Sequence, residues 1–598
     1  MPLVSASTTH PAYDVIVIGS GAGGGQAAYT LTMEGAKVLM LEAGRHYDPI
    51  TETPMFQLPS HAPLRGANTP DKANGFYDAT VDGGWEIPGE PYTNATADSA
   101  TRFHWWRARM LGGRTNHWTR IALRNGPYDF KPHTRDGLGF DWPLTYDELA
   151  PYYDKVELLI GVHGTNEGIE NAPDSSPGVL QPPPKARAGE LLAQHHARKL
   201  GIPIIPIRRA VLTAKQDADT LPARIHPGNL RAQRLLADSM RTRAVCFWAT
   251  PCGRGCSIRA TYQSPTVHLP PALASGNLDL LPNAMVREIT VNAAGRATGV
   301  VWIDKLTGTE HARSARAIVV AGGACESVRL LLNSRSAHFP DGLGNTHGFL
   351  GRRLMETVGT SLGAYIPALE NLPPHNDDGA GGPHVYAPWW LHHEAERLGF
   401  PRGYHIDVIA QRRMPTVTTG TNLEALNGGN YGRQFKADQR RYYGAFVNLA
   451  GRGEMIPNEH SFCTLDPTLK DRWGLPVLRF HWRWSDHETR QVAHMRRTFA
   501  ELLTAMGAKS APSSSDDGAK AIGAPGRVNH EVGGATMGDA PENSVTNAWG
   551  QLWDAKNVVV ADAATFASNS EKNPTLTIMA LAWRACDHLL AEFRRGDL

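Results

Sequence analysis

Residues 13–44 read YDVIVIGSGAGGGQAAYTLTMEGAKVLMLEAG, and the order of parts in this stretch decides the architecture. Tyr13 to Ile18 is a short β-branched run, the pattern of a parallel strand buried on both faces. It ends in Gly19-Ser20-Gly21-Ala22-Gly23-Gly24, and small residues lead on into a helix through Gln26, Ala27 and Ala28. A second strand, Lys37 to Leu41, follows Gly35 and finishes at Glu42. Gly19 permits the tight turn, Gly21 lets backbone approach a pyrophosphate, and Gly24 allows close helix–strand packing. The helix N-terminus offers free N–H groups to phosphates. Glu42 stands 18 residues past Gly24, close to the roughly 20 expected of a ribose-binding acid. A glycine-rich turn without a ligand can show GxGxxG, but strand, glycines, helix, strand and acid in this order define a dinucleotide site. NAD and FAD both suit it.

Farther along, ARAIVVAGGACESVRLLLNS from Ala315 repeats the unit of strand, Gly322-Gly323 and helix. Leu278 to Thr290 and Thr298 to Asp304 read as further strands, and KNVVVADAATF is a strand ending at Asp562. A last helix is expected from about Asn573, with Pro574 in its first turn. Such widely spaced units imply one cofactor domain interrupted by insertions. The proline-rich runs NAPDSSPGVLQPPPKA and NLPPHNDDGAGGPH read as loops. Asn458 to Trp484 alternates apolar and polar residues and fits antiparallel strands of a second domain.

The chain has 598 residues, 41% hydrophobic and 20% charged, which excludes wholesale disorder and predicts more than one domain. A net charge of +2 gives no footprint for nucleic acid or acidic membranes. There is no apolar run long enough to span a bilayer and no secretory pattern at the start, so the cytoplasm is the default location. A periplasmic location requires a partner subunit that carries the export signal.

Five pieces together resemble the glucose–methanol–choline (GMC) flavin oxidoreductases over nearly the whole chain. They are the glycine fingerprint with Glu42, RARMLGGRTNHWTRIALR, DWPLTYDELAPYYDKVELLIGVHG, the unit around Gly322, and the C-terminal pair NHEVGGATMG and NPTLTIMALAW. Within the family the chain is most similar to bacterial sugar and polyol dehydrogenases acting on gluconate, fructose, glucose and glucosides. NHWT and NPTLTIMALA are also similar to pyranose oxidases. The resemblance implies FAD and an α/β fold, with a Rossmann-like FAD-binding domain and a discontinuous α+β substrate domain built on an antiparallel sheet. Residues 12–50, 105–130, 235–355 and 526–598 would form the first domain, and 51–104, 131–234 and 356–525 the second.

Moving a hydride from a C–OH carbon to flavin N5 requires the hydroxyl proton to leave at nearly the same time. Histidine, titrating near neutrality, suits that task, with a second polar group to orient the alcohol. The resemblance gives His530 the role of base and Asn573 that of partner; without it, His530 reads equally as a packed histidine and Asn573 as a helix cap. Gly533 and Gly534 are expected to let backbone pass close to the flavin ring. Gly113, Asn116, His117, Trp118 and Thr119 are expected along the ring, with Val286, Gly322, Asp562, Ala563 and Thr575 on the rest of the nucleotide. A histidine in a similar HWT setting carries the flavin covalently in pyranose oxidases, whereas many dehydrogenase relatives hold it without a bond.

CFWATPCGRGC sets Cys246, Cys252 and Cys256 within eleven residues. Thiolates so spaced can hold an iron–sulfur cluster, as in some sugar dehydrogenases of the family. Buried free thiols and a Cys252–Cys256 disulfide are the other readings. Cys325, Cys463 and Cys586 read as core. Trp105-Trp106 and Trp389-Trp390 are either sugar platforms or core. The expected function is FAD-dependent oxidation of a sugar or glycoside hydroxyl, with a small partner subunit and a cytochrome c or quinone as acceptor. The alternatives are a pyranose-type oxidase releasing peroxide and a flavin-binding protein without turnover.

Overall fold

The computed structural model describes residues 4–5, 12–53, 82–98, 100–248, 252–373, 382–412, 417–509 and 517–598. Most of the N-terminal segment and part of the loop after Asn371 lie outside those residues. β1 (Tyr13–Ile18), α1 (Ala22–Met33) and β2 (Val38–Leu41) form the expected unit. β1 pairs in parallel with β2, Val15 beside Val38, and on its other side with the strand Glu310–Val320. Leu278–Leu281 extends the sheet beyond β2, and Val558–Val560 pairs with the far side of Glu310–Val320. Strands rich in valine, isoleucine and leucine are possible here because α1 and the C-terminal helix Thr575–Arg595 pack into one buried cluster with them.

The region expected as one strand from Leu278 is two, separated at Asn283, whose φ of 58 turns the chain. Ala284–Val291 then runs antiparallel to Ala297–Asp304, which pairs with the first half of Glu310–Val320. That long strand changes character midway. Glu310 to Arg316 alternates exposed and half-buried positions, and Ala317 to Val320 is wholly buried where it enters the parallel sheet.

A second, five-stranded sheet has the order Val358–Tyr365, Phe446–Gly453, Tyr404–Ile409, Val385–Ala387, Ile205–Pro206, all antiparallel. Helix Asp486–Ala505 lies against it. Phe462–Lys470 and Pro476–His481 form the antiparallel pair expected between Asn458 and Trp484, but in a separate three-stranded sheet. All six cysteines are free, so the Cys252–Cys256 disulfide reading is wrong. Cys325, Cys463 and Cys586 are buried core, as expected. Among the described residues no helix is long and apolar enough to cross a membrane.

Candidate active site

A cavity of about 790 Å³ runs from the β1–α1 turn to His530 and Asn573. Its first end is built from backbone. Gly19 has φ +95, and a Cβ there would stand 2.4 Å from the Ala321 carbonyl oxygen. A Cβ on Gly24 would lie 2.0 Å from Gly19 O, so this glycine makes the helix–strand contact and does not line the cavity. Gly21 differs, because a Cβ there would meet nothing within 4 Å and would occupy the cavity itself. α1 starts beside it with no side-chain cap, leaving its first N–H groups to a ligand. Glu42 lines the same end. Its carboxylate accepts from Ser20 N at 3.0 Å, Ser20 Oγ at 2.5 Å and Gly44 N at 2.6 Å, which fixes the glycine turn. Ser20 Oγ in turn accepts from Gly112 N at 2.8 Å and ties in the second glycine stretch.

Gly113, His117, Trp118, Thr119, Val286, Gly322, Asp562, Ala563 and Thr575 all line the cavity. Asp562 is a staple between elements: it accepts from Gly323 N at 2.9 Å, Ser327 Oγ at 2.5 Å and Ala564 N at 2.9 Å. Asn116 is placed differently. Its amide donates to Leu111 O at 2.9 Å and accepts from Gln263 at 3.0 Å, so it braces the wall from behind and does not face the cavity. His117 reaches the cavity with Nδ1 3.0 Å from Gly253 O. Trp105 and Trp106 line the cavity, whereas Trp389 is core.

Arg107 is a cavity residue that the sequence did not single out. It is 4% exposed, and its Nε and Nη2 have no hydrogen-bond partner among the described residues. Burial pushes its pKa down to about 10. Its guanidinium lies over the Trp105 ring, 4.5 Å from the centroid, and Nη1 donates to Glu90 O at 2.8 Å, which places a buried positive charge in the cavity wall. Together with the open Gly21 and the uncapped α1, it makes the cavity a fit for FAD.

At the far end His530 Nε2 lies 3.1 Å from Asn573 Nδ2, and His530 Nδ1 lies 3.1 Å from Thr357 Oγ1. With the amide nitrogen of Asn573 facing Nε2, that ring nitrogen is the acceptor, and Nδ1–H donates to Thr357. Asn573 is not the helix cap, since Thr575–Arg595 starts one residue past Pro574. Its Oδ1 is buried and has no partner among the described residues. The backbone of His530 is held by Glu356, whose Oε1 accepts from His530 N at 3.2 Å and whose Oε2 accepts from Gly526 N. Burial pushes the His530 pKa down to about 3, with Arg452, His405 and Arg114 adding to the effect and Asp407 opposing it. Gly533 and Gly534 are closely packed. A Cβ on Gly533 would sit 2.2 Å from Arg353 O and one on Gly534 2.8 Å from Val328, so they pack behind His530 and line no part of the cavity.

Asp407, Gln411 and Arg452 complete this end from the five-stranded sheet and its edge. Lys572, next to Asn573, is buried with Nζ 2.8 Å from Asp129 Oδ2 and 2.6 Å from Glu571 Oε1. Asp129, Glu454 and Glu571 are the one group of metal-type ligands that converges among the described residues, and the Lys572 ammonium is already its cation. The cysteine trio forms no such group. Cys252 lines the cavity while Cys246 and Cys256 stand behind it, and burial raises the Cys246 thiol to about 12.

The geometry defines a dinucleotide-binding oxidoreductase with a histidine at the reacting end. The family model for GMC oxidoreductase matches residues 13–358, and that for its C-terminal part matches residues 457–582. The chain belongs to the GMC oxidoreductase family. It is 30% identical over 586 residues to a 2-methyl-1,2-propanediol dehydrogenase of Mycolicibacterium austroafricanum, covering 97% of this chain and 95% of that one. It is 26% identical over 601 residues to a fructose dehydrogenase large subunit of Gluconobacter japonicus, covering 98% of each. In fold it resembles formate oxidase of Aspergillus oryzae, with TM-score 0.63 and 13% identity over 98% of this chain and all of the other. Pyridoxine 4-oxidase from Mesorbium loti gives TM-score 0.60 and 16% identity, covering 97% and 99%.

Proposed function

We propose that the chain oxidises an alcohol carbon of a sugar or polyol to a carbonyl and passes the electrons to an acceptor other than oxygen. The pair at 3.1 Å, His530 Nε2 and Asn573 Nδ2, carries this reading. A hydroxyl set between them accepts from the amide and gives its proton to the imidazole. Bound flavin supplies the hydride acceptor. Thr357 holds the ring in the tautomer that leaves Nε2 unprotonated, so a substrate hydroxyl can take the place of the Asn573 amide there. Asp407 and Arg452 put a carboxylate and a guanidinium within the same end of the cavity, which suits a substrate with several hydroxyls.

Relatives named for fructose, gluconate and a propanediol support the substrate class and the dehydrogenase reading. The fructose relative is a large subunit, which supports a small partner for this chain; export on such a partner would move the protein out of the cytoplasm. A paromamine 6'-oxidase of Streptomyces fradiae, 27% identical, supports the rival oxidase reading, which peroxide release on turnover would establish. A cluster at Cys246, Cys252 and Cys256 has no support in the geometry, since their sulfurs do not converge among the described residues, although two buried cations stand beside them. Among the described residues Arg120 donates to backbone carbonyls alone, including that of Cys252, and Arg209 lies near Cys252 and Cys246. Iron and sulfide analysis of anaerobically purified protein tests that part.

The test of the main reading is anaerobic flavin bleaching by fructose, gluconate and 2-methyl-1,2-propanediol, in wild type and His530→Ala. The variant is expected to retain flavin and lose on the order of 10²–10⁴-fold in bleaching rate. Bleaching at the wild-type rate would remove His530 from the role of base.

A further inference from the structure

We propose that Asp407, His405 and Glu571 form a proton path that carries the substrate hydroxyl proton from the active site to a small polar cavity behind it. The inference rests on the alcohol-oxidising reading above. In that reaction the O–H bond breaks and its proton passes to His530 Nε2. The C–H bond breaks with its electron pair leaving as hydride to bound flavin, and the C=O bond forms. One proton per turnover must then leave the active site.

The second cavity, about 20 Å³, is lined by His405, Glu571, Lys572, Thr165, Arg124 and Arg208 among others. Its size admits a water molecule and little more. Two stretches of chain run from it to the active site. Along the strand Tyr404–Ile409, His405 lines the small cavity while Asp407 and Ile409, on the same face two and four residues on, line the large one. Along the other stretch Glu571 and Lys572 line the small cavity and Asn573 the large one.

The polar atoms along this route are buried and unused. Asp407 Oδ1, both ring nitrogens of His405, Glu571 Oε2 and Thr165 Oγ1 have no hydrogen-bond partner among the described residues. His405 is 1% exposed, Asp407 4% and Glu571 3%. His405 Nε2 stands 3.6 Å from Asp407 Oδ1, beyond hydrogen-bond length but closed by a small ring rotation. Leaving so many buried groups unpaired is costly, and in a packed core they would be replaced or satisfied. An imidazole can accept a proton on one ring nitrogen and release one from the other, and His405 stands 3.6 Å from Asp407 and lines the same small cavity as Glu571. Lys572, ion-paired with Asp129 and Glu571, fixes the far carboxylate in place. The depressed pKa of His530 agrees with a base that hands its proton on.

The experiment is an anaerobic single turnover of holoenzyme with fructose, gluconate or 2-methyl-1,2-propanediol in weak buffer, following flavin bleaching and a pH indicator together. In wild type the indicator is expected to move in step with bleaching. In His405→Gln and in Glu571→Gln it is expected to lag bleaching about tenfold, and added imidazole is expected to remove the lag. If either variant fails to fold, the other decides. An indicator that keeps step with bleaching in the folded variants overturns the path and leaves the proposed reaction standing. A lag that imidazole does not shorten also overturns it, because it marks a distorted site. No wild-type bleaching with any of the three compounds overturns the reaction, and the path with it.

Discussion

His530 has two ring nitrogens, and its neighbours treat them differently. Thr357 meets Nδ1 and Asn573 meets Nε2, each at 3.1 Å. Replacing Thr357 by Val keeps the shape but removes the acceptor for Nδ1–H, so the ring can turn or change tautomer. Thr357→Val is expected to bind flavin normally and to bleach about tenfold more slowly, whereas Thr357→Ser keeps most of the rate. A Val variant as fast as wild type would deny Thr357 this role. The pKa of about 3 adds a prediction in pH. The neutral, proton-accepting ring is then the dominant form at every pH above about 4, so the bleaching rate should show no acid-side fall centred near 6.5. A fall there, measured by stopped flow, would mean that substrate-free burial misrepresents the working base. His530 and Asn573 were legible in sequence because each sits in a short motif. Thr357, Asp407 and Arg107 were not, since each is an ordinary polar residue whose meaning comes from what folds against it.

Among the elements, the β1–α1 turn allows two kinds of glycine to be told apart. A Cβ on Gly21 would meet open space, whereas one on Gly24 would stand 2.0 Å from Gly19 O. Gly21→Val should therefore fold and lose flavin, seen as apoprotein with an unchanged melting temperature. Gly24→Ala has backbone to push against and should cost roughly 1–3 kcal/mol of stability by denaturant titration, with or without flavin. Equal melting temperatures for wild-type and Gly24→Ala apoprotein would refute the packing role. This unit was readable because β-branched runs and glycines are local signals. The break at Asn283 was less so: a strand turning back on itself keeps the same apolar pattern as one that runs on. The separate three-stranded sheet was also hidden, because alternation specifies a strand but not the sheet it joins.

For the whole molecule, the buried titratable groups set how stability depends on pH. His226, His268 and His530 are pushed down by burial to about 4, 3 and 3. Between those values and the ordinary 6.5 or so the unfolded chain binds protons that the folded one refuses, so each histidine lowers stability as pH falls. Glu356 and Glu454 are pushed the other way, to about 8, by burial and by the carboxylates Glu531 and Glu571 respectively. From about 4.5 to 8 the folded protein holds protons that the unfolded chain has released, so these acids lower stability as pH rises. The two effects oppose one another between about 4.5 and 6.5, and the melting temperature is expected to peak there, with a slope of at most about 1.4 kcal/mol per pH unit per group on either side. Glu454→Gln removes one of the two acid contributions and should make the alkaline fall shallower while leaving the acid side unchanged. A wild-type melting temperature that climbs steadily from pH 6 to 8 would show that Glu356 and Glu454 are ionised in the folded protein. The charge of Lys572, placed against Asp129 and Glu571, would then have to balance Glu454 as well.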